Sequence, residues 1–381
     1  MPGDKILIIN LCSADYPGGV ERVLASIETL LSQAGYKVDW LVEEALSPRQ
    51  IFFLAILSWL RLKEFAINII FARKLSRGEE YAAIITNGFY GMHIKRKCCI
   101  HIYHGTVAGY RRAVASHLSF FSHLRLQSME MLERFSGRGK TVVAVSEYCA
   151  KELKRYYGLS TSHIIENAVD TSFFTPVFDE ERKMNRQRIF ESDAPVIIFV
   201  GRVEYAKGAD ILNEIIYLSQ KKYNFLICAG EMEETYRIRN TSNVIYMLGL
   251  NPAAMKTAYR SADVFLLPSR YEGYGLAVAE ALSSGIPVVG SKVGLMSDIH
   301  KRDSVIGHYI LDTDADASEY LQLIDEAVAD RERLSILSRE YILQVHDPEL
   351  YSKRWQQIVF DLNKSNIADN SSEFTIFFPG D

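Results

Sequence analysis

The sequence predicts an α/β protein built from two successive domains, each around a parallel sheet. Three observations lead there. The chain has 381 residues, more than one hydrophobic core usually organises. Its short apolar runs are continuous rather than alternating, as in strands covered on both faces. The alternation of strand and helix patterns also restarts after a polar, charge-rich stretch at 179–193.

The first strand is expected over 6–11 and leads into a loop ending at Pro17, Gly18 and Gly19. A helix should follow, because Val20, Val23, Leu24, Ile27, Leu30 and Leu31 recur at the spacing of one helical face, and Gly35 stops it. A strand over 37–42 completes a βαβ unit, and further strands are expected at 82–86, 98–103 and 141–145. The second half reads as strands at 196–200, 225–229, 244–248, 264–267 and 287–290 with helical patterns between them. A last amphipathic helix is expected over 349–362, opening on Asp347, Pro348 and Glu349. On this division, 1–170 form the first domain and 171–345 the second. Residues 346–364 form a helix that packs back on the first domain, and 365–381 a mobile polar tail.

Apolar residues make up 48% of the chain and charged residues 24%, as in soluble globular proteins. The net charge of -4 is unevenly spread, since residues 1–175 carry 21 Lys/Arg against 16 Asp/Glu. A basic first half suits an acidic acceptor, an anionic membrane surface or nucleic acid. The sequence has no zinc-finger spacing, RNA-binding aromatic signature or long basic arm, which argues against nucleic acid. Cys12, Cys98, Cys99, Cys149 and Cys228 are odd in number, lack C-x-x-C spacing and lie mostly in apolar runs, so they read as reduced core thiols. The chain enters a strand at Lys5 without a secretory pattern, and a cytoplasmic location is expected. The run 51–60 is almost wholly apolar, contains Trp59 and precedes Arg61, Lys63, Arg73, Lys74 and Arg77. It is too short to span a bilayer, and reads either as an interfacial helix on an anionic membrane or as a buried helix with solvated basic flanks.

The strongest chemical signal is the segment 262–282. A buried strand ends at Pro268, a loop carries Glu272, Gly273, Tyr274 and Gly275, and a helix begins near Leu276 with Glu280 further along it. At the carboxyl end of a parallel strand, this order places Glu272 over a cleft and turns the N–H groups of 273–276 toward an anion. Glu280 suits a vicinal diol such as a ribose. Alone, two glutamates would read as solvated charges, but that reading leaves the strand, the glycines and the helix start unexplained. The second signal follows the strand at 196–200, where Gly201 and Arg202 precede Lys207 and Gly208. One Arg and one Lys can neutralise a departing diphosphate without a metal. Asp312, Asp314 and Asp316 include an Asp-x-Asp pattern, but helix capping before 318–329 explains it better. No metal is expected.

Together these residues resemble glycosyltransferase family 4, from the segment 17–22 to the last helix. The resemblance implies the GT-B fold, two Rossmann-like domains with parallel sheets facing across a cleft. It also implies retaining transfer of a sugar from a nucleotide diphosphate sugar to an acceptor. The basic first half and the run 51–60 suit a saccharide or lipid-linked acceptor in bacterial surface polysaccharide or glycolipid synthesis. Glu272 would contact the donor sugar and Glu280 the ribose, Arg202 and Lys207 would grip the diphosphate, and Gly18 and Gly19 would approach from the other domain. His104, after the strand at 98–103, matches the family histidine facing the reacting sugar. Ser146 and Glu147, and Asn167 through Asp170, match recurrent positions before the second domain, although Ala168 stands where glycine is usual and argues against a left-handed turn. The departing phosphate would take the acceptor's proton. His104 would position the sugar, with Glu272 the other catalytic residue. No cofactor is implied beyond the donor, and the location is cytoplasmic or peripheral on the inner membrane face. Rival readings are a sugar-nucleotide epimerase, a phosphorylase, which would normally be longer and need a pyridoxal-binding lysine, and a non-catalytic nucleotide-binding relative.

Overall fold

A computed structural model describes residues 4–372 apart from 17, 60–62, 76–79, 95, 231, 238–241 and 347, without the side chains of Trp59 and 365–372. Pro17, Arg61, Arg77 and Asp347 therefore lie outside the described residues, as does the end of the tail.

The chain begins with β1 (Lys5–Ile9), α1 (Gly19–Gln33), β2 (Lys37–Leu41), α2 (Pro48–Trp59), α3 (Lys63–Lys74) and β3 (Ala83–Asn87). It continues with β4 (Cys99–Tyr103), α4 (Val107–Ala113), α5 (Phe120–Ser136), β5 (Thr141–Ala144), α6 (Glu147–Glu152) and β6 (His163–Ile164). These six strands form one parallel sheet in the order β2-β1-β3-β4-β5-β6. The residues expected on the inner face of α1 are buried, Val20 only partly, Glu21 is buried beside them, and Gly35 ends the helix at φ +93.

The second half opens with α7 (Asp179–Gln187), β7 (Val196–Val200), α8 (Ala209–Leu218), β8 (Asn224–Ala229), β9 (Val244–Leu248), α9 (Pro252–Tyr259) and β10 (Val264–Leu267). There follow α10 (Leu276–Ser283), β11 (Val288–Ser291), α11 (Gly294–Arg302), β12 (Ile310–Leu311), α12 (Ala317–Ala329), α13 (Arg331–Val345) and α14 (Pro348–Ser372). Its sheet, also parallel, runs β12-β11-β10-β7-β8-β9. Two Rossmann-like units with a cleft between them result, the GT-B arrangement.

Two differences from the sequence reading have physical causes. The charged stretch 179–193 contains a helix, α7, with no apolar stripe. Its buried face is polar, and Arg182 and Arg186 reach Asp263, the Arg182 Nε lying 3.1 Å from a carboxylate oxygen. The helix α14 also continues past 362 to Ser372. Its Tyr351, Trp355, Ile358 and Val359 join the core that includes Val23, Leu24 and Ile27 of α1, and the Ser26 and Tyr351 hydroxyls lie 3.3 Å apart. Chain that leaves the first sheet thus returns to it.

Candidate active site

In the second sheet, β7 and β10 are neighbours, while the chain after each departs to opposite sides. That reversal leaves a crevice beyond the strand ends, the position where ligands bind in open α/β sheets. The loops 201–208 and 268–275 flank it, and contacts between them hold them together. Gly208 has φ +70, and a Cβ there would lie 1.9 Å from the Pro268 carbonyl oxygen. The Arg270 N–H donates to the Ala206 carbonyl at 2.9 Å. The Arg270 guanidinium grips both oxygens of Asp210, at 2.6 and 2.7 Å, and lies over the Tyr205 ring.

The charged residues expected from the sequence converge here. The Lys207 ammonium donates to Glu272 Oε1 at 2.5 Å, and the Ser269 hydroxyl to the same oxygen at 3.3 Å. The half-exposed Arg202 lies 2.9 Å from Glu204. Burial pushes the Glu204 carboxyl up from its usual value, while Arg202 and Lys207 pull it down, so one carboxylate senses both cations. An incoming diphosphate would compete with Glu204 and Glu272 for these cations. Beside them, α10 starts at Leu276 with Gly275 as its cap at φ +99. The first-turn N–H groups of a helix lack partners within it and carry partial positive charge. Tyr274 turns its phenol away into the core, donating to the Asn167 carbonyl at 3.1 Å, so its backbone N–H is what it can offer a ligand.

Residues of the first sheet close the other side. A Cβ on Gly273 would sit 1.7 Å from the His104 carbonyl oxygen, so only glycine lets the two loops meet. The His104 Nε2 is shielded and without a hydrogen-bond partner, and burial holds the imidazole neutral with a pKa lowered to about 4. It is therefore an unsatisfied polar group at the contact of the two units, a cost that a ligand can relieve. Ser146, which caps α6, donates to the Gly273 carbonyl at 2.8 Å. A Cβ on Gly19 would lie 3.8 Å from the Leu276 side chain, which puts the glycine loop opposite the tip of α10. Gly18 precedes α1 where any Cβ would clash with Glu21 at 1.9 Å. Glu280 is buried, and both its oxygens are engaged, by Arg22 at 2.7 Å and the Tyr259 hydroxyl at 2.8 Å. Arg22 is half exposed.

The sequence reading missed a second layer. The Tyr271 hydroxyl accepts from the Thr106 N–H and donates to Glu152 Oε2 at 3.0 Å, and the Thr106 hydroxyl donates to the same oxygen at 2.8 Å. Burial pushes the Glu152 carboxyl up to about 7 against these hydrogen bonds. Gly109 makes room, since a Cβ there would meet Glu152 at 2.0 Å. His117 also stacks on Tyr205 with ring centres 3.3 Å apart. Glu152 has no local sequence signal, whereas Arg22 ends the segment 17–22 and Glu204 lies between Arg202 and Lys207. The aspartates 312–316 serve other ends: Asp316 caps α12 through the N–H groups of Ser318 and Glu319, and Asp312 pairs with Lys292 at 2.8 Å. Ala168 is not among the residues with positive φ, so no left-handed turn forms there.

Both halves of the chain resemble known protein families. The model for Glycosyltransferase Family 4 matches residues 17–173, and that for Glycosyl transferases group 1 matches 180–341. The first match takes in β2 to β6 and the second all of β7 to β12, so both units are similar to glycosyltransferase families. Together they place the chain in the superfamily that holds these two glycosyltransferase families, with the GT-B fold. It is 29% identical to a D-inositol 3-phosphate glycosyltransferase from Xylanimonas cellulosilytica over 178 residues, 42% of this chain and 43% of that protein. The chain spans about half the length of the curated relatives it matches. Among solved structures, a sucrose-phosphate synthase from Thermosynechococcus elongatus superposes with TM-score 0.75 at 18% identity, covering 95% of this chain and 99% of that one. Anabaena HepE in complex with UDP-glucose superposes with TM-score 0.67 at 16% identity, covering 94% and 99%. These two likenesses concern the fold.

Proposed function

We propose that the protein transfers a glycosyl group from a nucleoside diphosphate sugar to a saccharide or lipid-linked acceptor with retention of configuration, in surface polysaccharide or glycolipid synthesis. The observation that carries this is the meeting of Lys207 and Glu272 at the tip of α10, with Arg202 on the same loop as Lys207 and His104 pressed against Gly273. The occupant of the related HepE structure is UDP-glucose, a ligand of the class this crevice suits.

In this reading the diphosphate draws Lys207 and Arg202 away from Glu272 and Glu204 and accepts from the N–H groups of 273–276. The freed Glu272 carboxylate holds the donor sugar. As the anomeric bond lengthens, negative charge grows on the phosphate, where preorganised donors and cations act most strongly. The acceptor oxygen bonds to the anomeric carbon from the leaving-group face, and its proton passes to the departing phosphate oxygen. His104 stays neutral and positions the sugar by hydrogen bonding rather than taking that proton, consistent with its low pKa. Glu280 exchanges Arg22 for the ribose hydroxyls.

A thermal-shift screen against UDP-, GDP- and ADP-sugars tests the donor, with stabilisation by one class expected and none by any contradicting the proposal. The product's anomeric configuration by NMR tests retention, and inversion would overturn it. Turnover should survive excess chelator, and loss rescued by Mn²⁺ would contradict the metal-free scheme. An isomerised sugar nucleotide formed without acceptor would indicate an epimerase instead.

A further inference from the structure

The helix α5 exposes much of its apolar surface. Leu132, Glu133 and Ser136 are its buried residues, while Phe120, Phe121, Leu124 and Met131 are all more than half exposed. Phe121, Leu124, Met131 and Phe135 follow helical spacing along one outer stripe. The helix α2 behaves alike, with Leu54 buried while Ile51, Phe52, Phe53 and Ile56 are exposed. The reading of 51–60 as a buried helix is therefore not what the described residues show. Between them lies α3, packed on α2 and tied to α5 by Glu64 and Arg125 at 3.1 Å, with its own Phe65 exposed.

Most acids on these three helices and beside them are paired or buried. Glu64 is neutralised by Arg125, Glu43 by Lys63 at 2.8 Å, Glu130 by Arg111 at 2.7 Å, and Glu133 is buried. Arg49, Arg134 and Arg138 remain on the surface. At its carboxyl end, the stripe reaches a cavity of about 590 Å³ lined by His93, Arg96, Phe135, Arg138 and Lys140 among others. Phe65 meets His93 edge-on at 5.7 Å, which joins α3 to the cavity. The His93 Nε2 is shielded and has no hydrogen-bond partner. No helix among the described residues is long and apolar enough to cross a membrane.

We propose that the face formed by α2, α3 and α5 rests on an anionic phospholipid bilayer, with the α5 stripe in the interface and the cationic cavity holding a phosphate-bearing headgroup. An exposed apolar stripe bordered by cations matches the two attractions that hold a peripheral protein on such a surface, burial of apolar area and headgroup charge. A soluble protein partner would need acids placed against Arg134 and Arg138, whereas a lipid surface supplies them everywhere. The inference stands on this surface alone and is independent of the donor.

Flotation of the full chain with phosphatidylcholine vesicles, and with vesicles containing about 30 mol% phosphatidylglycerol, tests it. Binding is expected to the anionic vesicles, weakened by salt, and far less to the neutral ones. The double variant F121S/L124S should bind at least about tenfold more weakly, and R138E should weaken binding and flatten its salt dependence. All these side chains are exposed, so the melting temperature and any donor-induced thermal shift should match wild type. Millimolar inorganic phosphate should not release the protein, and release would overturn the headgroup site. Equal binding to neutral vesicles, no binding, or unchanged binding by F121S/L124S would overturn the proposal. So would a wild-type dimer that the same variant makes monomeric, because a second copy would then cover the face. If no donor shifts the melting temperature while flotation succeeds, the donor proposal fails and this one stands.

Discussion

The loops at the carboxyl ends of the two sheets carry their chemistry differently. In the second unit, each of 201–208 and 268–276 is a short continuous segment in which glycines, cations and a carboxylate stand at fixed spacing after a strand. In the first unit, Arg22, His104, Thr106, Ser146 and Glu152 come from four separate places in the chain and meet only in the fold. A diphosphate beside a helix tip demands a local geometry, and local geometry leaves a local pattern. Closing a cleft requires only complementary surfaces, which can be assembled from residues distant in sequence.

The largest expected effects lie in the second unit. K207A and E272A should each lower turnover by about two to three orders of magnitude, with the melting temperature changed far less. Near-wild-type kcat in both would remove the contrast between the two units. R202A should lose slightly less, because the half-exposed Arg202 has solvent as an alternative partner.

Next come residues that join the units. G273A places a Cβ 1.7 Å from the His104 carbonyl and must push the two loops apart. Activity should fall about a hundredfold, and small-angle scattering should show a more open particle. An unchanged envelope with full activity would show that the units need not touch there.

These positions also show what can be read without coordinates. Most of the long strands were legible to within a residue or two, because buried parallel strands are continuous apolar runs. The edge strands β6 and β12 have two residues each and offer no run to see. The helix α7 hides because its buried face is Arg182, Asn185 and Arg186, a pattern set by the charge of Asp263 rather than by hydrophobicity. At the site, the Lys207 and Glu272 motifs were legible, but their direct contact was not. That Glu280 is held by Arg22 from the other unit depends on how the domains face each other, which no spacing encodes.

A subtler effect is expected at Tyr271. Y271F keeps the ring but removes the hydroxyl that links Thr106 to Glu152. It should lower kcat about tenfold with little change in donor KM, because it touches the alignment of His104 rather than Arg202 and Lys207, the cations proposed for the diphosphate. An equal rise in KM with kcat intact would place Tyr271 in donor binding instead.

The smallest effect is one of pH. The Glu152 carboxyl is raised to about 7 in the folded chain, against about 4.3 for an unperturbed glutamate. Between these values the folded state holds the extra proton, so this group's contribution to stability is full below about pH 4.3 and is lost as pH rises to about 7. Glu133, also pushed up to about 7, has the same sign. His104 and His346, both lowered to about 4, have the opposite sign, contributing stability that falls as pH drops from about 6.5 toward 4. Comparing E152Q with wild type cancels the histidines. The melting temperature of E152Q relative to wild type should be higher at pH 8 than at pH 5 by about 3 °C or more. No pH dependence in that difference would mean Glu152 is not held protonated.

The central claim is that Arg202, Lys207 and the tip of α10 form one metal-free diphosphate site. Calorimetric titration of UDP, GDP and ADP into wild type and R202A/K207A, in excess chelator, tests it most directly. One nucleotide should bind wild type in the micromolar range and bind the double variant at least about a hundredfold more weakly, the loss expected from two charge-assisted contacts. Equal affinity in the two proteins, or no binding of any of the three to wild type, would contradict it.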